Sequence, residues 1–261
     1  MSRIIVKVGT KALSDSKGQL DTAVIARIVR QLVELKRARH EVVLVSSGAV
    51  GAGKAVFHLP GTSVPEKQVY AAIGQARLVS LYSALLEKDK LLCAQVLTTK
   101  ADLADPTHYA NIKNCLEHLL HDDILPIVNE NDVVVVEELR LTENDERTSF
   151  TDNDELAASL ATMMGAEVVI LITSVDGILD GDGKLMPKIA VTAGGDHPEM
   201  ITKEVSAHGR GGMHTKFTMA KELALQGKRV HIVNVTSSKT LLEVVDGAPV
   251  GTVVVVAAKP A

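Results

Sequence analysis

Apolar residues along the chain fall into two alternating rhythms. The stretches "RIIVKVGT" (3–10) and "EVVLVSSGAVGAG" (41–53) begin as nearly continuous apolar runs, as buried strands do, and each ends in glycine and hydroxyl residues. Between them Ile25, Ile28, Val29, Leu32 and Leu35 recur at helical spacing, and a second helical stretch covers about residues 66–88. Three further buried strands are predicted at "LLCAQVLTT" (91–99), "ILPIVNEND" (124–132) and "EVVILITSVDG" (167–177), each separated from the next by a helix-length segment. A helix at about 213–226, a strand "RVHIVNV" (229–235), a short helix and a last strand "GTVVVVA" (251–257) complete the pattern. Such alternation predicts an α/β fold with a mainly parallel sheet and helices on both faces. Two segments break it: 133–153 starts like a strand and then turns polar without a helical period, and "DGILDGDGKLMP" (176–187) carries the D-G signals of a hairpin. With no internal repeat and no long polar linker, one domain over 1–261 is expected.

Composition narrows what this fold can serve. The 261 residues are 46% hydrophobic, enough for a substantial core, and a formal net charge of -4 offers no overall basic field for nucleic acid or an anionic membrane. Aromatic residues make up 2% and tryptophan is absent, which argues against base-stacking platforms. No signal-peptide pattern is present and no apolar run nears the roughly 18 residues of a spanning helix, so the cytoplasm is the expected compartment. Cys93 and Cys115 show no metal or redox spacing and are expected to be buried structural thiols. Any anion must then be bound by local features.

Those features cluster where strands end, which is where open parallel sheets bind ligands. Lys7 lies inside a strand whose apolar flanks suggest a central position and is followed by Gly9-Thr10. On an edge strand it would need no explanation, but buried without a partner it would be costly. "SSGAVGAG" (46–53) places hydroxyls and glycines at a strand end, either as a tight turn or as an amide cradle for an anion. "NEND" (129–132) and "TDNDE" (151–155) each combine amides with carboxylates. Singly each is a turn, or a helix cap by Asp152, Asn153 or Asp154; together they suit a zwitterionic ligand or a magnesium nucleotide. "GRGGMHTK" (209–216) lacks the glycine a P-loop puts before its lysine, and is either a phosphate cradle or a hinge. The nine histidines show no zinc spacing, His214 reads as solvent-facing, and Ser47 sits outside a nucleophile elbow.

Taken in order, K-V-G-T (7–10), S-S-G-A (46–49), G-Q-A-R-L (74–78), N-E-N-D (129–132), D-N-D (152–154) and G-x-G-G-M-x-T-K (209–216) resemble the amino-acid kinase family over essentially the whole chain. The resemblance implies a three-layer αβα sandwich that transfers phosphate from ATP, with Mg2+, to the side-chain carboxylate of L-glutamate, at the start of proline synthesis. By the same resemblance Lys7 and Lys216 hold the transferring phosphoryl group, Asp154 orients them, and Ser47, Asp132 and Asn153 bind glutamate. The nucleotide positions are Lys7, Gly9, Gly48, Thr173, Ser174, Arg210, Gly211, Gly212, Met213, His214, Thr215 and Lys216, with no protein metal ligand. Proline is implied as a feedback inhibitor and a dimer or tetramer as the assembly. Three departures stand out: the segment between N-E-N-D and D-N-D is lengthened by about nine residues, position 174 is Ser where relatives often carry Asp, and the chain stops without the PUA domain many relatives have. The alternatives are a kinase of aspartate, acetylglutamate, uridylate or isopentenyl phosphate, or a non-catalytic amino-acid sensor. The acidic substrate loops disfavour phosphate acceptors.

Overall fold

The computed structural model describes residues 1–15, 19–61, 63–135, 152–193, 213–234 and 240–257. Its strands are β1 (Arg3–Val8), β2 (Glu41–Ser46), β3 (Cys93–Thr98), β4 (Leu125–Glu130), β5 (Val168–Thr173), β6 (Lys188–Val191), β7 (Arg229–Asn234) and β8 (Thr252–Val256). They form one sheet in the order β3-β4-β2-β1-β5-β7-β8-β6. Every pairing is parallel except β7 with β8. The helices are α1 (Thr10–Leu13), α2 (Thr22–Arg37), α3 (Ala49–Lys54), α4 (Val64–Glu87), α5 (Lys100–Ala104), α6 (Pro106–His121), α7 (Asp152–Met163), α8 (Met213–Leu225) and α9 (Thr240–Val245).

Strand alternation divides the core into two layers. Ile4, Val6 and Val8 of β1 join α2, α4 and α9 on one face, while Ile5 packs with α6, α7 and α8 on the other. Lys7, two residues from Ile5, therefore belongs to the α7 side, level with Val45 of β2 and Leu171 of β5. Local signals fix the helix starts: Asp21 accepts from the amides of Ala23 and Val24 at 2.9 and 3.1 Å, and Ser63 with Glu66 forms a capping box ahead of α4.

Several expectations change. β3 is an edge strand with Leu97 exposed rather than a buried one, because only β4 flanks it. Cys93 on β3 is half-buried and Cys115 is exposed, so neither is a core thiol; Cys115 stands on the outer face of α6, beside the buried Leu116. Val133 and Val134 lie in an exposed turn after β4 instead of opening a strand, and 136–151 fall outside the described residues. Asn153 and Asp154 sit inside the first turn of α7, not before it. By length and composition α4 could cross a membrane, against expectation, yet it buries Tyr70 and Ala71, and packs Leu78, Tyr82 and Leu86 into the core on one face of the sheet. The 176–187 hairpin is present, with a bridge from Leu179 to Leu185, and leads into the short β6.

One core residue on β7 makes stability depend on pH. His231 is buried, neither ring nitrogen has a hydrogen-bond partner among the described residues, and burial, aided by Arg229, pushes its pKa down from 6.5 to about 4. A base whose folded pKa is depressed stabilises the fold fully above its unfolded value, and that stability is lost as pH falls from 6.5 toward 4. At ~1.4 kcal/mol per unit the loss is about 3 kcal/mol by the lower limit. Urea denaturation of the unaltered chain and of His231→Leu is expected to show a stability difference that shifts by that amount between pH 7 and 4. A difference independent of pH would refute the burial of an unpaired imidazole.

Candidate functional site

The carboxyl ends of β1, β2, β4 and β5 open on one edge of the sheet, and the charged groups singled out in the sequence meet there. The Asp154 carboxylate is fully buried at the start of α7 and bridges two lysines: Oδ1 lies 2.5 Å from Lys7 Nζ and Oδ2 lies 3.3 Å from Lys216 Nζ. α8 begins at Met213, so Lys216 stands almost one turn into it and reaches across to α7. Among the described residues one carboxylate stands between two ammonium groups with little water around it, an arrangement that suits an anion. Burial pulls the Lys216 ammonium below the usual lysine range, Asp154 opposes this, and Lys7 and Lys11 add to it. The short helix α1 that follows Gly9 carries Lys11 in its first turn, within electrostatic reach of Lys216.

Beside these cations the end of β2 is tied to two neighbours. The Ser47 amide donates to the Val8 carbonyl at 3.1 Å, and Asn153 Nδ2 donates to Ser47 Oγ at 2.8 Å. Asn153 Oδ1 is buried without a hydrogen-bond partner among the described residues, so the site holds a carboxamide oxygen ready for an N–H donor. Gly48 turns the chain with φ +111, and a Cβ there would press on Leu13 and Leu20 at 3.3 Å, so both conformation and space call for glycine. Asp132 lies half-buried in the turn after β4, where the Val134 amide donates to the Asn131 carbonyl at 2.9 Å. Thr173 ends β5 level with Asn234 of β7, whose Nδ2 donates to Asp176 Oδ1 at 3.1 Å and contacts the Ser174 carbonyl at 3.5 Å.

Lys7, Asp154 and Lys216 thus form one bonded cluster, with Ser47 and Asn153 joined to each other on the same opening of the sheet. Thr215 is buried and His214 exposed in the first turn of α8, the latter as expected. Arg210, Gly211 and Gly212 lie outside the described residues. Two buried groups went unassigned by sequence reasoning. Gln75 Oε1 accepts from Asn129 Nδ2 at 2.8 Å, and Ser46 Oγ lies 2.9 Å from Tyr82 Oη. Their signal was available as polar residues seven positions apart on one helix, Gln68, Gln75 and Tyr82.

Known proteins are similar to this chain in sequence and in fold. The amino acid kinase family profile matches residues 2–234. A glutamate 5-kinase of Chlorobaculum tepidum is 39% identical over 96% of this chain and 68% of its own length. One of Bacteroides thetaiotaomicron is 38% identical over 89% of this chain and 64% of its own, and one of Neisseria gonorrhoeae is 39% identical over 92% and 81%. The chain therefore spans about two thirds of the length of the first two. A UMP kinase from Bacillus anthracis superposes with a TM-score of 0.60 at 14% identity, covering 98% of this chain and 97% of its own, a likeness of fold alone. The chain belongs to the amino acid kinase family and groups within it with the glutamate 5-kinases.

Proposed function

We propose that the chain catalyses ATP-dependent phosphorylation of the γ-carboxylate of L-glutamate, giving L-glutamyl 5-phosphate and ADP. The observation that carries the reading is the Asp154 carboxylate bracketed by Lys7 and Lys216. The acceptor carboxylate has a reference pKa of about 4.3 and is already ionised at neutral pH, so no general base is required. The difficulty is that one anion must approach another, and catalysis becomes positioning and charge compensation. A γ-carboxylate oxygen bonds to the γ-phosphorus as the bond to the bridging β,γ-oxygen breaks, and the electron pair leaves with ADP. Lys7 and Lys216 face the equatorial oxygens, and Asp154 holds both ammonium groups apart at fixed positions. Asn153 Oδ1 and the Asp132 carboxylate receive the α-ammonium group of glutamate, and Ser47 its carboxylate end. Gly9 and Gly48 offer amides to the phosphates, while Thr173, Ser174 and residues 210–216 line the nucleotide.

Among the described residues no three His, Cys, Asp or Glu side chains are grouped to hold a metal, and both oxygens of Asp154 face lysines. The donor set thus suits magnesium that arrives on the nucleotide phosphates, where it supplies charge neutralisation. The proposal extends to a single kinase domain, a homo-oligomer, a cytoplasmic enzyme and inhibition by proline near the glutamate pocket.

Purified protein with ATP, Mg2+, glutamate and hydroxylamine is expected to yield γ-glutamyl hydroxamate, less of it with millimolar proline, and no product with aspartate, acetylglutamate or UMP as acceptor. Lys216→Ala is expected to cut kcat by about 10³-fold, the scale of removing a charge-stabilising group, with glutamate affinity changed about threefold or less. No hydroxamate from the unaltered protein would sink the reading. Ligand binding that survives intact in a chain with no turnover would favour the amino-acid sensor.

A further inference from the structure

Most of α4 reads as a core helix, yet three of its polar side chains stand seven residues apart and each is bonded to the same end of the sheet. Tyr82 Oη lies 2.9 Å from Ser46 Oγ at the last residue of β2. Gln75 Oε1 accepts from Asn129 Nδ2 of β4 at 2.8 Å. Gln68 Nε2 donates to the Val133 carbonyl at 2.8 Å, in the turn that follows β4. Seven residues are close to two helical turns, so the three groups form one stripe along α4. β2 and β4 run level, Val45 against Val128, which carries the stripe from the end of β2 across the end of β4 and on to the loop. The helix cannot slide along this path, because Gly74, beside Gln75, is where its backbone touches that of α3.

The loop at the far end of the stripe carries Asp132. Its turn is narrow: the amides of Val134 and Val135 both donate to the Asn131 carbonyl, at 2.9 and 3.0 Å. Asn129 precedes Asp132 by three residues and Val133 follows it directly, so α4 grips the chain on both sides of this carboxylate. We propose that the stripe is a positioning device, in which Gln68 and Gln75 act through Val133 and Asn129 to set where Asp132 stands, and so tune affinity for the amino acid and not for the nucleotide. The inference rests on the reading of Asp132 as a substrate-binding residue. Displacing a positioned group by about 1 Å can cost up to 10²-fold in turnover at low substrate, whereas losing one exposed hydrogen bond costs little stability. Gln68 is therefore the member to test.

Gln68→Met and Gln68→Glu match glutamine in length, and neither can donate to the Val133 carbonyl. Both variants are expected to raise KM for glutamate about tenfold, with KM for ATP and kcat within about twofold and Tm within about 2 °C. Hydrogen exchange of the backbone amides in 131–135 should quicken in both. An unchanged KM for glutamate in Gln68→Met would overturn the proposal. So would a rise confined to Gln68→Glu, which would report charge repulsion, or an equal rise for both substrates, which would report a general loosening. Failure of the function itself shows differently, as absence of glutamate turnover in the unaltered chain, and it removes this role of Asp132 with it.

Discussion

Replacing Gly74 by alanine is expected to cost 3 kcal/mol or more and to leave little folded protein, although alanine is the better helix former. A Cβ at this position would stand 1.7 Å from the Ala49 carbonyl oxygen and 2.5 Å from the Gly53 amide nitrogen, both backbone atoms of α3. The contact is reciprocal, since a Cβ on Gly53 would lie 2.0 Å from the Tyr70 carbonyl oxygen of α4. Helix propensity favours alanine by ~1 kcal/mol. Overpacking a core typically costs 1–3 kcal/mol where side chains can yield, and more where, as here, two backbones must separate. The steric term wins, and because α3 follows directly from Ser47-Gly48, the damage reaches the substrate side of the site. Gly181 supplies the control, with nothing within 4 Å of its added Cβ; Gly181→Ala is expected to be neutral or slightly stabilising. Denaturant midpoints compare the two, and a Gly74→Ala protein as stable as the parent would mean that α3 and α4 are not in backbone contact.

Asp154→Asn is expected to lower kcat by at least about 10²-fold and stability by about 3–5 kcal/mol. The change keeps the shape of the side chain and removes its charge, leaving Lys7 and Lys216 beside a neutral amide in a site with little water. Breaking a buried ion pair from one side is among the costlier single changes, because the remaining charge stays desolvated. Here two like charges remain and repel. Against a typical total of 5–15 kcal/mol this is a large share. The sign with pH is fixed. Lys216 already sits below the usual lysine range through burial, and losing Asp154 lowers it further. A base depressed in the fold loses stability at low pH and regains it as pH rises toward its unfolded value. The deficit should therefore shrink between pH 7 and pH 10, and ATP should narrow it at pH 7 by supplying the missing anion. A deficit that grows with pH would contradict the charge argument.

What the sequence disclosed follows from which physical signals are local. Lys7 in an apolar strand left an edge position or a buried charge open, and the structure places that strand fourth of eight with the lysine almost wholly enclosed. The layer assignment is also local, since Ile4, Ile5 and Val6 alternate faces by pleat alone. The choice among Asp152, Asn153 and Asp154 was not local. Each could cap a helix, and only the partners from β1, β2 and α8 show that Asn153 meets Ser47 while Asp154 meets the lysines. Strand order is equally invisible to periodicity, which is why β3 reads as buried and proves to be an edge. β6, four residues with exposed and buried positions alternating, is too short to stand out. Gln75 was visible only as part of a motif, because the role of a buried amide depends on what lies opposite.

The strand order also bears on how the chain is made. β1 is made well before β5, yet β5 is one of its two neighbours, and the carboxylate that neutralises Lys7 lies on α7. Roughly 160 residues separate β1 from β5, which at 5–20 residues per second is a wait of about 8–30 s. During it β1 and β2 can pair and collect α2 and α4, but the far edge of β1 stays open and its lysine faces no carboxylate from α7. The centre of the sheet and its buried lysine are therefore completed late, first by α7 and β5 and last by α8, which brings Lys216.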